Sequence, residues 1–126
     1  MRFLSTEWFE SVNAAAADLV VQVETPLELG FDIRDTPAPQ CGRYFVSVDH
    51  GGVQFVPDDT KSCTNELAMS YSVARSLVTG ATTFQQEYLA GSITWTGSHH
   101  DLIEIARVFE RLQPRVGDLY GDIEFV

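Results

Sequence analysis

Three histidines, two cysteines and eighteen carboxylates are the side chains of this chain most suited to chemistry. The most suggestive grouping is His99-His100-Asp101. Adjacent residues at a helix start point about 100° apart, so the two imidazoles cannot grip one ion together. No third ligand stands at chelating spacing, and a protein metal site needs a closed set. Asp101 is better placed to complete the start of a helix. Cys41, His50 and Cys63 fall in loops at irregular spacing and read as incidental. Nucleophilic catalysis needs a serine or cysteine, a base and an orienting group. None of the serines sits in a Gly-x-Ser-x-Gly elbow, and there is neither a Gly-x-Gly-x-x-Gly turn nor a phosphate loop. The residues therefore assign no catalytic group, no cofactor and no metal.

The bulk properties narrow the partners. Eight basic residues face eighteen acidic ones, a formal charge of −10. Binding a duplex requires clustered Lys and Arg that release counterions, so nucleic acid is excluded as a partner. Contact with an anionic membrane would be transient at most. No run of about 18 apolar residues exists to span a bilayer. The start, Met1-Arg2-Phe3-Leu4 followed by Ser5, Thr6 and Glu7, lacks the apolar stretch of a secretory signal. The end, Ile123-Glu124-Phe125-Val126, matches no peroxisomal or reticular address. The expectation is a cytoplasmic protein with reduced cysteines. At 126 residues it reads as one domain, 1–126, with a weakly patterned tail over 115–126.

Periodicity supplies the elements. Trp8, Val12, Ala15, Ala16 and Leu19 recur at helical spacing, predicting a helix over 6–21 capped by Ser5 or Thr6. Leu27, Leu29, Phe31 and Ile33 alternate with polar residues and glycine as a half-buried strand. After a Pro- and Gly-bearing loop, Tyr44, Val46 and Val48 mark a second strand. Asp49-His50-Gly51-Gly52 is a turn signal, and Val53, Phe55 and Val56 form the return strand. Leu67, Met69 and Tyr71 mark a fourth strand. Ser72 then caps a short helix with Val73, Ala74, Leu77 and Val78 on one face, closed by Gly80. Thr82 or Thr83 starts a second short helix carrying Phe84, Tyr88 and Leu89. Residues 91–97 form a fifth strand. A last helix, 101–112, has Leu102, Ile105, Ala106, Phe109 and Leu112 on one face and stops at Pro114. This order predicts an α+β domain: antiparallel strands with helices gathered on one face. Periodicity leaves open whether the two layers close into a solid core or stand apart around a pocket.

The second half carries a recognisable order: Leu77-Val78-Thr79-Gly80, Tyr88-Leu89-Ala90-Gly91, Ile93-Thr94-Trp95-Thr96-Gly97, then an amphipathic helix. It resembles the sterol carrier protein 2 (SCP2-like) family, in which Leu-Leu-Thr-Gly and a glycine-framed strand lead into a closing helix. The resemblance runs from about Tyr44 to Leu112, is tightest at Gly91 and Gly97, and is loose over the first forty residues. The chain departs from it at Gln85-Gln86-Glu87, which is more polar, and at His99-His100, where an acidic residue is common.

What the resemblance implies is a bacterial stand-alone member. Its fold would be a five-stranded, mostly antiparallel sheet under about four helices, with an apolar tunnel between them for a sterol, fatty acid, acyl-CoA or other lipid. By position, Val73, Leu77, Phe84, Tyr88 and Leu89 would line the tunnel. Phe31, Val46, Met69 and Trp95 would form its floor, and Ile105 and Phe109 would close it. The partner would be a hydrophobic small molecule, and a lipid-metabolising enzyme would be a further partner. Two rival readings remain. One is a small enzyme or enzyme subunit of lipid, steroid or polyketide metabolism using the same cavity. The other is a solid-core interaction domain whose aromatics are simply core.

Overall fold

Ser5 starts the first helix: its hydroxyl accepts a hydrogen bond from the Trp8 amide at 3.2 Å, satisfying one of the donors a helix start leaves free. This is seen in a computed structural model, which describes residues 1–126 apart from Gln22, Glu24, Asp118, Tyr120, Asp122 and Val126. The helix, α1, is Thr6–Ala16 and buries Trp8, Phe9, Val12 and Ala16. It stops earlier than the expected residue 21. Leu19, Val21 and Val23 are buried while Val20 is 69 % exposed. Burial alternates at Leu19, Val20 and Val21 rather than following a helical period, and the β-branched run Val20-Val21 disfavours helix.

The sheet is built from β1 (Leu27–Arg34), β2 (Arg43–Asp49), β3 (Gly52–Pro57), β4 (Asn65–Ser70) and β5 (Thr94–Thr96). The strand order is β3-β2-β1-β4-β5. All neighbours are antiparallel except β1 and β4, which run parallel. Register puts Leu29 beside Val46, Val46 beside Phe55, Phe31 beside Leu67, and Leu67 beside Trp95. One face is thus a continuous apolar surface. The other presents Glu28, Asp32, Arg43 and Gln54, with Arg43 paired to Asp32 at 3.5 Å.

The remaining helices are α2 (Tyr71–Val78), α3 (Phe84–Leu89) and α4 (His99–Gly117). Ser70, not the expected Ser72, caps α2 by accepting from the Val73 amide. Tyr71 is therefore helix rather than strand. Thr83 and Gln86 form a reciprocal capping box on α3. Both short helices end in the same way. The Ala81 and Gly80 amides donate to Ser76 and Leu77 carbonyls, and the Ser92 and Gly91 amides donate to those of Glu87 and Tyr88. Gly80 (φ 78°) and Gly91 (φ 82°) supply the left-handed residue these endings need.

Ser98 caps α4 through the Asp101 amide at 3.1 Å. Asp101 does not complete the box, because its carboxylate is drawn to Asn65 at 3.0 Å. The buried face of α4 is Ile105, Val108 and Leu112; Ala106, expected there, is exposed. The helix also runs past Pro114 to Gly117. Tertiary contacts hold that extra turn: Arg115 pairs with Asp18, Arg111 donates to the Val20 carbonyl at 2.6 Å, and Val116 packs on the core. Arg115 also donates to the Ala15 carbonyl in the last turn of α1. Described residues of the tail reach back to the N-terminus. Arg2 and Glu124 form a parallel bridge, and the Phe125 ring meets Phe3 at a tilt with centres 5.4 Å apart.

Two halves of the interior differ. Over β2 and β3, α1 brings Trp8 and Phe9 against Tyr44 and Phe55, ring centres 5.2 to 6.3 Å apart. Asn13 seals the free edge there: its amide accepts from the Phe55 N–H at 2.7 Å and donates to the Phe55 carbonyl at 2.9 Å. This half is solid. The half over β1, β4 and β5, beneath α2, α3 and α4, leaves more of its apolar side chains half-buried and is in that sense the open half.

Candidate functional site

The open half holds most of the residues expected to line a tunnel. Phe31 on β1, Val73 and Leu77 on α2, Phe84 on α3, Trp95 on β5 and Phe109 on α4 are all half-buried and pack against the core. Five elements contribute to this set. Phe31 stacks flat on Tyr44 at 4.6 Å and meets Phe109 edge-on at 6.0 Å. Tyr88 is half-buried and stacks on Phe84 at 5.8 Å. Val46, Met69 and Ile105 lie deeper, within the packed core. Leu89 stands apart, 77 % exposed on α3, a helix with no buried residue. The polar Gln85-Gln86-Glu87 run accounts for that exposure, since it leaves α3 too few apolar positions to bury a face.

Two concavities among the described residues lie outside this half. One, about 420 Å³, is a groove beside the β1–β2 loop lined by Asp35, Gln40, Cys41, Arg43 and Asp59. The other, about 550 Å³, lies near the termini at Met1, Glu7 and Glu124. Among the described residues, His, Cys, Asp and Glu side chains nowhere come together in threes to hold a metal ion.

One feature of the open half escaped the reading of periodicity. Asn65 begins β4 on the inward face, in line with Leu67 and Met69, and is only 5 % exposed. Its Nδ2 donates to Asp101, while Oδ1 is buried without a partner among the described residues. The indole N–H of Trp95 is likewise buried and unpaired. Continuing the β4–β5 register, Gly97 falls opposite Asn65. A Cβ at Gly97 would overlap Asn65 Oδ1 and come within 2.8 Å of Trp95 Cζ2. An asparagine where the alternation calls for an apolar residue was the available signal.

Electrostatics elsewhere are structural. Burial pushes the Tyr44 phenol well above its ordinary value. Burial also raises Cys63, an unreactive direction for a thiol. A hydrogen bond from Lys61 to Glu28 holds the ammonium above its usual range. No described helix is long and apolar enough to cross a membrane.

No protein-family model matches the chain, and no curated protein matches it. Solved structures do. A conserved hypothetical protein from Thermus thermophilus, described as possibly sterol carrier protein, superposes with a TM-score of 0.66 at 12 % identity, over 94 % of this chain and 90 % of that one. A crystal structure of sterol carrier protein 2 gives 0.64 at 12 % identity, over 92 % and 98 %. The sterol carrier protein 2 of Aedes aegypti, solved in complex with the C16 fatty acid palmitate, gives 0.52 at 18 % identity, over 92 % and 96 %.

Proposed function

We propose that this chain, which has the fold of sterol carrier protein 2 domains, is a non-enzymatic carrier that holds a hydrophobic ligand between its sheet and its helices. The observation that carries the reading is the half-buried apolar set Phe31, Val73, Leu77, Phe84, Trp95 and Phe109. These side chains gather on the open half of an otherwise filled interior. A similar fold holding palmitate in Aedes aegypti supports the same reading.

The mechanism is burial. At about 25 cal/mol per Å², covering roughly 300 Å² of a lipid chain yields about 7 kcal/mol before ordering costs. Space is made by moving α3. It buries no residue and is framed by Gly80 and Gly91, so displacing it sacrifices little packing. Residues 1–126 would act as one carrier domain, cytoplasmic, with a lipid-metabolising enzyme as the natural donor or recipient of the cargo.

The test is native mass spectrometry of the purified protein with organic extraction, followed by titration with fatty acids, fatty alcohols and sterols. One-to-one uptake supports the carrier. A folded protein that takes up no lipid sinks it. That outcome would leave the solid-core interaction domain, a reading favoured by the single core cluster that joins α1, the sheet and α4 and by two grooves that lie away from Val73, Leu77 and Trp95.

A further inference from the structure

We propose that Asn65 and Trp95 form the polar anchor of the open half, and that this anchor selects a lipid ending in a neutral hydroxyl over one ending in a carboxylate. The inference rests on the carrier reading and names the chemistry its ligand would have.

The argument begins with strand register. Asn65, Leu67 and Met69 occupy successive inward positions of β4, and Trp95 lies beside Leu67 on β5. Gly97, across from Asn65, lacks the Cβ that would keep the Asn65 amide and the Trp95 ring edge apart, so both crowd onto its Cα. Orientation follows from Asp101. Because the Asn65 Nδ2 donates to that carboxylate at 3.0 Å, the amide must turn its oxygen the other way. The indole nitrogen of Trp95 can only donate. Beside Gly97, Asn65 therefore offers one buried acceptor and Trp95 one buried donor, neither with a partner among the described residues. Buried polar atoms are normally paired, and an unpaired couple of opposite sense is matched by a group that both donates and accepts.

A hydroxyl is such a group. It accepts from the Trp95 N–H and donates to Asn65 Oδ1. An ionised carboxylate can only accept. It would face the Asn65 oxygen unpaired, stand near the Asp101 carboxylate, and enter a chain of formal charge −10. An ether satisfies Trp95 but leaves Asn65 unpaired.

The experiment measures competition by dodecanol, dodecyl methyl ether and dodecanoate against an alkyl-pyrene reporter that has no polar group. The wild-type protein should bind dodecanol about tenfold more tightly than the ether, as expected for one buried hydrogen bond, and more tightly still than dodecanoate. Trp95→Phe keeps an aromatic ring and removes the N–H that alcohol and ether oxygens both accept from, and should weaken dodecanol and the ether alike, severalfold relative to the reporter. Asn65→Leu should bring alcohol and ether to within about twofold. If Asn65→Leu does not fold, Trp95→Phe decides alone. Equal binding of alcohol and ether by the wild type, preference for dodecanoate, or undiminished binding of dodecanol relative to the reporter in Trp95→Phe each overturns the anchor while leaving the carrier intact. Failure of the folded wild type to bind the reporter overturns the carrier reading, and the anchor with it.

Discussion

Replacing Gly97 by alanine tests the packing around Asn65 most directly. Two costs add. The backbone at Gly97 has φ 144°, a conformation that L residues rarely adopt, and holding alanine there costs about 1–3 kcal/mol. The new methyl would also overlap Asn65 Oδ1 and sit 2.8 Å from Trp95 Cζ2. Asn65 cannot simply swing away, because its other end is tied to Asp101. Overpacking of this kind costs about 1–3 kcal/mol. The sum is about 2–6 kcal/mol, which for a domain of this size lowers the melting temperature by roughly 8–25 °C. The clash with Asn65 should vanish when Asn65 is shortened, while the backbone part and the Trp95 contact should remain. Asn65→Ala combined with Gly97→Ala should therefore be less destabilised than the two single effects summed, by about 1–2 kcal/mol. Calorimetry and urea titration of the four proteins measure this. Strict additivity, or a Gly97→Ala variant within about 0.5 kcal/mol of wild type, would refute the claim that Asn65 and Trp95 crowd this glycine.

Other expectations follow from single contacts. Asn13→Ala removes both hydrogen bonds to the Phe55 backbone; it should cost about 1–3 kcal/mol and speed amide exchange at Phe55 more than at β1. Ser70→Ala should lose about 1 kcal/mol of stability, whereas Ser72→Ala, which removes no cap, should stay within about 0.5 kcal/mol. Tyr44 is neutral when buried, and its folded-state ionisation lies above the unfolded value, so its contribution is complete below about pH 10 and declines as pH rises further. Stability of the wild type should then fall above about pH 10 more steeply than that of Tyr44→Phe, as read from denaturation midpoints. Finally, Leu77→Arg should abolish lipid uptake because position 77 lines the open half, while Leu89→Arg, on the exposed side of α3, should preserve it.

Much of this architecture was legible without coordinates, for identifiable reasons. The alternation Leu27-Leu29-Phe31-Ile33 and the turn Asp49-His50-Gly51-Gly52 are local signals, and the structure follows both. The glycines after the two short helices mark endings whose hydrogen bonds close within six residues. Errors arose where a local rule met a distant partner. The helical pattern over 6–21 breaks at residue 16, and burial then alternates at Leu19, Val20 and Val21. Pro114 does not end α4, since Arg111 reaches the Val20 carbonyl and Arg115 the last turn of α1. Ser70 displaces Ser72 as the cap because β4 turns into α2 without a linker.

Sequence by itself determined the classes of element, their order, the alternating rows of each strand and an acidic net charge, because periodicity and charge are properties of neighbouring residues. It did not determine which apolar residues would be left half-buried. Phe84 and Leu89 belong to one short helix, yet one packs against the core and the other faces solvent. Only the tertiary structure separated the solid half under α1 from the open half under α2, α3 and α4. Only it placed Asn65 between Asp101 and Gly97, thirty-odd residues away, where a polar side chain in an apolar row acquires a fixed orientation. Burial and pairing depend on what the rest of the chain brings to the same place, and no window of sequence contains that information.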